Sequence, residues 1–331
     1  MPSTFAEPAY DAVDLFAGPG GWDVAARQLG ITAYGIEKDH AACETRRAAG
    51  LLTVEADVRD FDPVAFRTVP GFIASPPCQT FSAAGRGEGR KALDDVYRLA
   101  KTLEARQTVD YSIFTDERTG LVLEPLRWVL AATDAGTPYE WLAFEQVPAV
   151  LPVWEYMAET FRREGYTVAT GKLSSEEYGV PQVRKRAFLV ARLHGGVALP
   201  APTHRPYKKN VAQADGDPAL LPWRSMADAL GWGLTHRPYP TIASGITGGP
   251  DREKVGGSGA RKQIYAEKDA GRWVDNGTGI ARISMDEAAV LQSFPPGHPW
   301  QGNQTKIFQQ IGNAVPPALA RAVLAAASGI A

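Results

Sequence analysis

Cysteine is almost missing from this chain. Cys43 and Cys78 are the only two in 331 residues, too few for a disulfide framework or a cysteine-built zinc site, and no metal is expected. Long apolar runs are missing as well, since no stretch approaches the roughly 18 residues that span a bilayer. The N-terminal MPSTFAEPAYDAVDLFAGPGG has no basic segment followed by an apolar one, so no secretory signal is expected and the reading is cytoplasmic. A strong charge of one sign is also lacking. The formal net charge is −2, yet its distribution is uneven: residues 1–200 hold 21 Lys/Arg against 27 Asp/Glu, and residues 201–281 hold 11 against 8. An acidic body joined to a mildly basic insert fits a protein that offers one face to phosphates.

What is present begins as alternation. YDAVDLFAG reads as a buried strand ending in a glycine turn, GGWDVAARQLG as a helix closed by Gly30, TAYGIEK as a strand and DHAACETRRAAG as a helix. LTVEAD and GFIAS follow as strands. Beyond residue 120 come a helix at LVLEPLRWVLAATDAG, a strand at WLAFEQV, a helix at LPVWEYMAETFRREG, and strands at YTVATGKL and RAFLVAR. Such alternation predicts βαβ units and a largely parallel sheet, the α/β class. Residues 193–281 are rich in Pro, Gly and Thr with little periodicity and predict an irregular small domain. Regularity returns with ISMDEAAVLQSF, where Ser284 and Glu287 stand at capping-box spacing, and ends in the apolar helix PPALARAVLAAASG. The expected division is therefore a first domain at 1–192, a second region at 193–281 and a segment at 282–331 that returns to the first domain.

DLFAGPGG joins the first strand to the first helix through Gly18, Gly20 and Gly21, a turn that lets a ligand approach backbone and helix N-terminus. Its spacing is not the dinucleotide G-x-G-x-x-G. Glu37, ending the second strand, could accept hydrogen bonds from ribose hydroxyls, and Asp57, ending the third, could meet an adenine amino group. Carboxyl ends of parallel strands are where open α/β sheets bind ligands, so a nucleoside cofactor is expected. Cys43, mid-helix, reads as a small core hydrophobe. Cys78 differs, because it follows the fourth strand on the same sheet edge and Pro76 and Pro77 stiffen the backbone before it, which suits a nucleophile.

SPPCQTFSAAG resembles the Pro-Cys-Gln motif of the DNA cytosine-C5 methyltransferases, and the other blocks follow in that family's order. DLFAGPGG is similar to its S-adenosylmethionine loop, FEQVPAVL to its Glu-Asn-Val block and YGVPQVRKRAFLVA to its Gln-x-Arg-x-Arg block; RISMDEAAVLQSFP and IGNAVPP resemble its last two motifs. The resemblance implies a Rossmann-like S-adenosylmethionine-dependent methyltransferase fold with a mixed, mostly parallel sheet, in which 1–192 is the catalytic and cofactor-binding domain and 193–281 a small target-recognition domain. It also implies transfer of a methyl group to C5 of a cytosine flipped from double-stranded DNA, leaving S-adenosylhomocysteine. Cys78 would add to cytosine C6, Glu145 would hydrogen-bond N3 and the exocyclic amine, which calls for a raised pKa, and Arg184 and Arg186 would hold the base, its phosphate and Glu145. Phe16, Val58, Pro77, Asn313 and Val315 would join Gly18, Gly20, Gly21, Glu37 and Asp57 at the cofactor. Gln79 and Ser82 would lie on the DNA side of the nucleophile loop. Arg205, Lys208, Lys209, Arg252, Lys254, Arg261 and Lys262, in the variable recognition region, would reach phosphates or base edges. The expected protein is a bacterial or phage-encoded monomer of the restriction-modification type, whose partners are double-stranded DNA and a cognate restriction endonuclease that acts independently of it.

Two departures stand out from the family pattern. Gln146 occupies the place of the asparagine in the Glu-Asn-Val block, and residues 88–120 are longer than the usual link after the nucleophile, which predicts an extended DNA-facing lid. The alternatives are the tRNA-directed branch of the superfamily, whose Cys-Phe-Thr signature is not found here, and transfer of a modified one-carbon group by the same Cys78 chemistry.

Overall fold

The computed structural model describes residues 10–66, 69–77, 86–242, 258–277 and 282–330. In chain order the first half contains β1 (Ala12–Leu15), α1 (Gly21–Gln28), β2 (Ala33–Glu37), α2 (His40–Ala48), β3 (Leu52–Glu55), β4 (Gly71–Ala74), α3 (Arg86–Glu104), α4 (Glu124–Asp134) and β5 (Trp141–Gln146). Then follow α5 (Leu151–Arg163), β6 (Thr167–Ser174), β7 (Lys185–Arg192), α6 (Met226–Leu230), β8 (Gly233–Leu234), α7 (Ser258–Asp269), β9 (Trp273–Val274), α8 (Met285–Leu291), α9 (Gln304–Asn313) and α10 (Pro317–Ser328).

Seven strands form one sheet in the order β3-β2-β1-β4-β5-β7-β6. The first five are mutually parallel, and β7 runs antiparallel to both β5 and β6. The expected mixed, mostly parallel sheet is thus the one observed. The chain leaves β1 toward β2 and β3 on one side and returns to β4 and β5 on the other, so the strand order reverses between β1 and β4. A crevice opens at such a switch point, outside the carboxyl ends of the strands.

Burial on both faces explains the near-continuous apolar strands. Strand period 2 sends Val13, Leu15, Phe72, Leu142 and Phe144 to one core with residues of α3, α4 and α5. Ala12, Ile73, Trp141, Ala143, Phe188 and Val190 face the opposite core, filled by α1 and by Leu319, Ala320, Val323 and Leu324 of α10. Gly71 pairs with Trp141, and a Cβ on it would lie 2.0 Å from the indole. Only glycine lets that ring lie across the strand.

Several expectations change in detail. The helix expected from Leu121 begins as a short 3-10 turn, Glu117–Leu123, and becomes α-helical at Glu124, where Pro125 takes a first-turn position that needs no N–H. The expected lid is corrected more substantially. Residues 86–104 form a helix of about five turns whose Ala92, Val96, Leu99, Ala100 and Leu103 are buried at helical spacing, the last four within the first core. From Ala92 onward one face of this segment packs into the domain.

The irregular region has its own apolar centre. Met226, Trp232, Leu234, Tyr239, Ile242 and Ile264 share a cluster with Ile283, Leu291, Phe294, Phe308 and Ile311. The Ser284–Glu287 capping box forms as expected. Residues 282–314 therefore pack into the small lobe while α9 also meets α2: Lys306 Nζ donates to Asp39 Oδ2 at 2.6 Å and Thr45 Oγ1 to Gln310 Oε1 at 2.7 Å. Helix α10 packs back onto the sheet, against β5 and β7. No helix among the described residues is long and apolar enough to cross a membrane.

The buried face of α3 makes a direct prediction. Leu99→Ala should lower unfolding free energy by about 2–5 kcal/mol in urea titration; a lid residue exposed to solvent would show almost no change.

Candidate active site

The carboxyl ends of β1 to β5 and the start of β7 surround one cavity of about 790 Å³. Its first wall is the turn after β1. Phe16 takes a left-handed conformation (φ 60°), rare for a side chain of that size, and Gly18 and Gly20 follow at φ 53° and 97°. A Cβ on Gly18 would meet nothing within 4 Å, whereas one on Gly21 would lie 2.3 Å from the carbonyl oxygen of Val315. Gly21 therefore allows the segment after α9 to close against the N-terminus of α1. Phe16, Gly18 and Gly21 line the cavity, as do Val58, Pro77, Asn313 and Val315. Gly20 is the exception, since it faces Leu51, Arg46 and Asp23 beneath the turn rather than the cavity. Its expected cofactor contact is replaced by a structural one.

Glu37 holds this wall in place. Its Oε2 accepts from the Gly18 N–H at 2.8 Å, and its Oε1 accepts from the N–H groups of Lys38 and Asp39, each at 2.7 Å. Asp57 caps the turn after β3 and accepts from Arg59 Nη2 and Lys38 Nζ, both at 2.8 Å. Hydrogen bonds from Arg59 and Lys38 hold its carboxyl below the usual range despite partial burial, so it is anionic at neutral pH. Both acids lie in the cavity wall.

Beneath the turn, Arg46 of α2 is completely buried and forms a two-point ion pair with Asp23, at 2.7 Å for each bond. Its remaining donors reach Ala17 O, Leu52 O and Thr53 Oγ1. Asp14 is buried on the same side. Desolvation and the Asp23 charge raise its pKa well above the ordinary value, outweighing Arg46.

The second wall is ionic. Glu145, near the end of β5, is buried, with Arg186 Nε 3.0 Å from its Oε1. Burial raises the Glu145 pKa, while Arg186 and Arg184 oppose the rise. Arg184 donates through Nη1 to Gly312 O at 2.9 Å and Ile242 O at 3.4 Å. Burial and the neighbouring Arg186 push its pKa down to about 9, which leaves the guanidinium charged at neutral pH. Two cations facing one acid give the wall a tendency toward an added anion. Glu145, Arg184 and Arg186 all line the same cavity as the glycine turn.

Several expected residues do not enter the geometry. Cys78, Gln79, Ser82, Arg252 and Lys254 lie outside the described residues, as does the side chain of Arg261. Arg205 is turned inward: Nε donates to Asp217 O and Nη1 to Ala214 O, each at 2.8 Å. It holds its own loop together, so the expected phosphate contact is corrected. Lys208, Lys209 and Lys262 remain exposed.

Sequence reasoning missed Trp22, Ser75 and Lys306, which also line the cavity. Trp22 Nε1 donates to Ser75 Oγ at 2.8 Å, tying α1 to the end of β4. Only the position of Ser75 at the start of the SPPCQTFSAAG block and of Trp22 directly after the glycine turn could have pointed to them.

The sheet order, the crevice at its reversal and the glycine turn define a Rossmann-like α/β protein of the S-adenosylmethionine-dependent methyltransferase type. The model of the C-5 cytosine-specific DNA methylase family matches residues 10–107, 114–219 and 224–328. The chain belongs to that family and is a DNA cytosine-C5 methyltransferase. It is similar to "Type II methyltransferase M1.HphI" of Haemophilus parahaemolyticus, 27% identical over 337 residues that cover 94% of this chain and 84% of that protein. It is also similar to "Type II methyltransferase M.NgoFVII" of Neisseria gonorrhoeae, 28% identical over 92% of this chain and 83% of that one. Among solved structures, the S. pombe Dnmt2 methyltransferase shares the fold with a TM-score of 0.61 at 16% identity, covering 96% of this chain and 97% of its own.

Asp14 supplies a pH test. Its carboxyl titrates near 3.8 when unfolded and far higher when folded. Above about pH 4 the unfolded chain loses this proton while the folded chain keeps it, so the group's contribution to stability falls as pH rises toward the folded pKa. Asp14→Asn should flatten that dependence and raise the urea midpoint at pH 7.5 more than at pH 4.5. A wild-type slope retained in the variant would show that Asp14 is ionised in the fold.

Proposed function

We propose that the cavity binds S-adenosylmethionine and that the chain methylates C5 of a cytosine turned out of double-stranded DNA, through a covalent bond between Cys78 and cytosine C6. The observation that carries this reading is that one cavity is lined both by the Gly18–Glu37–Asp57 wall and by the Glu145–Arg184–Arg186 wall. The first wall suits the cofactor. Open backbone at Gly18 admits close approach, Glu37 and Asp57 offer acceptors to ribose hydroxyls and an adenine amino group, and Asn313 and Val315 close the opposite side. Bound there, S-adenosylmethionine supplies an electrophilic sulfonium methyl group.

The second wall suits the base. Cytosine C5 is a poor nucleophile until a thiolate adds to C6 and turns the ring into an enamine-like species. Cys78 is four residues past Ala74, the end of β4, and the segment's last described residue, Pro77, lines the cavity. Its sulfur forms the bond to C6, and the displaced π electrons move toward N3. A protonated Glu145 donates to N3, and its raised pKa suits that state. Arg186 holds the carboxyl group in orientation, and the charge of Arg184 favours the thiolate or a target phosphate. Once C5 carries the methyl group, a base removes the C5 proton and the C6–S bond breaks, which restores the aromatic ring and frees Cys78. Turning the base out of the stack costs a few kcal/mol, which phosphate contacts must offset. Exposed Lys208, Lys209 and Lys262 in the 193–281 region fit that role, and we assign target recognition to this region together with residues 282–314.

Cys78→Ser should abolish methylation, read by bisulfite sequencing of DNA from expressing cells, while retaining DNA binding. A duplex carrying 5-fluorocytosine at the methylated position should trap a covalent adduct at Cys78. Methylation without that adduct would overturn the assigned nucleophile.

A further inference from the structure

Two buried glutamines connect the cavity's opposite sides. Gln182, just before β7, and Gln292, just after α8, are completely inaccessible to solvent. The N–H of Ile242 donates to Gln182 Oε1 at 2.8 Å. Gln182 Nε2 donates to Gln292 Oε1 and, at 3.3 Å, to Leu291 O. Gln292 Nε2 in turn donates to Ala314 O at 2.6 Å. Each amide accepts on its oxygen and donates from its nitrogen, so the chain has one polarity from Ile242 to Ala314. Reversing either amide would set donor against donor.

Both ends of this chain are in the cavity wall. Ile242 follows Thr241, another lining residue, whose hydroxyl donates to Val183 O at 2.6 Å. The same strip is paired with residues 181–183 through Val183 N to Tyr239 O at 2.8 Å and Tyr239 N to Pro181 O at 2.9 Å. Ala314 precedes Val315, whose carbonyl rests against Gly21 of the cofactor turn. A shift of the 314–315 segment therefore reaches the 241–242 strip through three consecutive hydrogen bonds. An amide left half-paired in a dry core carries a desolvation penalty, so the two ends are held to one separation.

We propose that Gln182 and Gln292 are positioning residues that couple the cofactor side of the cavity to the recognition strip at 241–242, so that filling one side strengthens binding at the other. The proposal rests on the functional reading above and adds the residues that transmit its two-site order.

The test measures S-adenosylhomocysteine affinity of the full chain by calorimetry, with and without a duplex containing the site found by sequencing methylated DNA. The ratio of the two affinities is the coupling. Gln292→Met keeps the volume but loses both hydrogen bonds and should reduce the coupling by about threefold to tenfold, while affinity without DNA changes less. Gln292→Glu, protonated in this dry site, can still accept from Gln182 and donate to Ala314 O, and should restore most of the coupling. If Gln292→Met fails to fold, Gln182→Met, which leaves the Gln292–Ala314 bond in place, gives the same reading. A folded methionine variant with wild-type coupling overturns the proposal, as does an equal loss of both affinities. Failure of the wild type to bind either S-adenosylhomocysteine or the duplex would instead refute the functional reading itself.

Discussion

The cofactor side of this protein depends on one buried ion pair. Arg46 uses every guanidinium N–H: two meet Asp23, and the others reach Ala17, Leu52 and Thr53. These partners belong to the turn after β1, to α1 and to the β3 edge, so a single side chain fixes three elements around the glycine turn. Burying a guanidinium without full pairing costs several kcal/mol, which makes the arrangement all-or-none. The sequence around it is shaped accordingly. A Cβ on Gly35 would lie 1.8 Å from Arg46 Nη2, and Gly20 faces the same group. Gly35 thus answers to the buried arginine, and Gly20, read in the sequence as a cofactor glycine, answers first to Leu51, 2.3 Å from where its Cβ would lie, with Arg46 behind it.

Strand direction has a comparable effect on the ionic wall. Arg184 and Arg186 stand at the beginning of β7, and Glu145 near the end of β5. They meet because β7 is antiparallel to β5, with Glu145 opposite Phe188 and Gln146 opposite Ala187. Had β7 followed the direction of its neighbours, the strand rise over six residues would place its start roughly 20 Å away, at the far edge of the sheet. One reversal in a parallel sheet therefore brings two cations to the edge that already carries the acids.

Much of this was legible in order along the chain. Strand and helix alternation, Glu37 and Asp57 at successive strand ends and the Ser284 capping box all depend on local pattern, and each has its counterpart in the fold. Arg205 was not legible, because a basic residue in a polar loop looks the same whether its donors meet phosphate or three nearby carbonyls. Gly20 misled for a related reason: glycine spacing specifies a tight turn but not which side of it is crowded. The helix at 86–104 could have been found, since Ala92, Val96, Leu99, Ala100 and Leu103 hold helical spacing. Flanking charges and the expectation of a lid obscured it. The Gln182–Gln292 contact joins residues 110 apart in sequence, and no periodicity encodes such a meeting.

Gln146 shows how a departure from a family pattern is absorbed. An amide one methylene longer than asparagine, placed at the end of β5, cannot simply extend into the space of the shorter one. Here it curls: Oε1 accepts from the next N–H, that of Val147, while Nε2 donates to Pro76 O. The added length is taken up between its own backbone and the end of β4, and the side chain remains buried. The bond to Pro76 joins the last residue of β5 to the stiff Pro76-Pro77 step, two residues before the proposed nucleophile. Since proline fixes φ at both positions, holding one carbonyl there restrains the direction in which the chain leaves the sheet. The substitution thus alters how the loop's root is gripped, with Glu145 and its arginines still lining the cavity beside it.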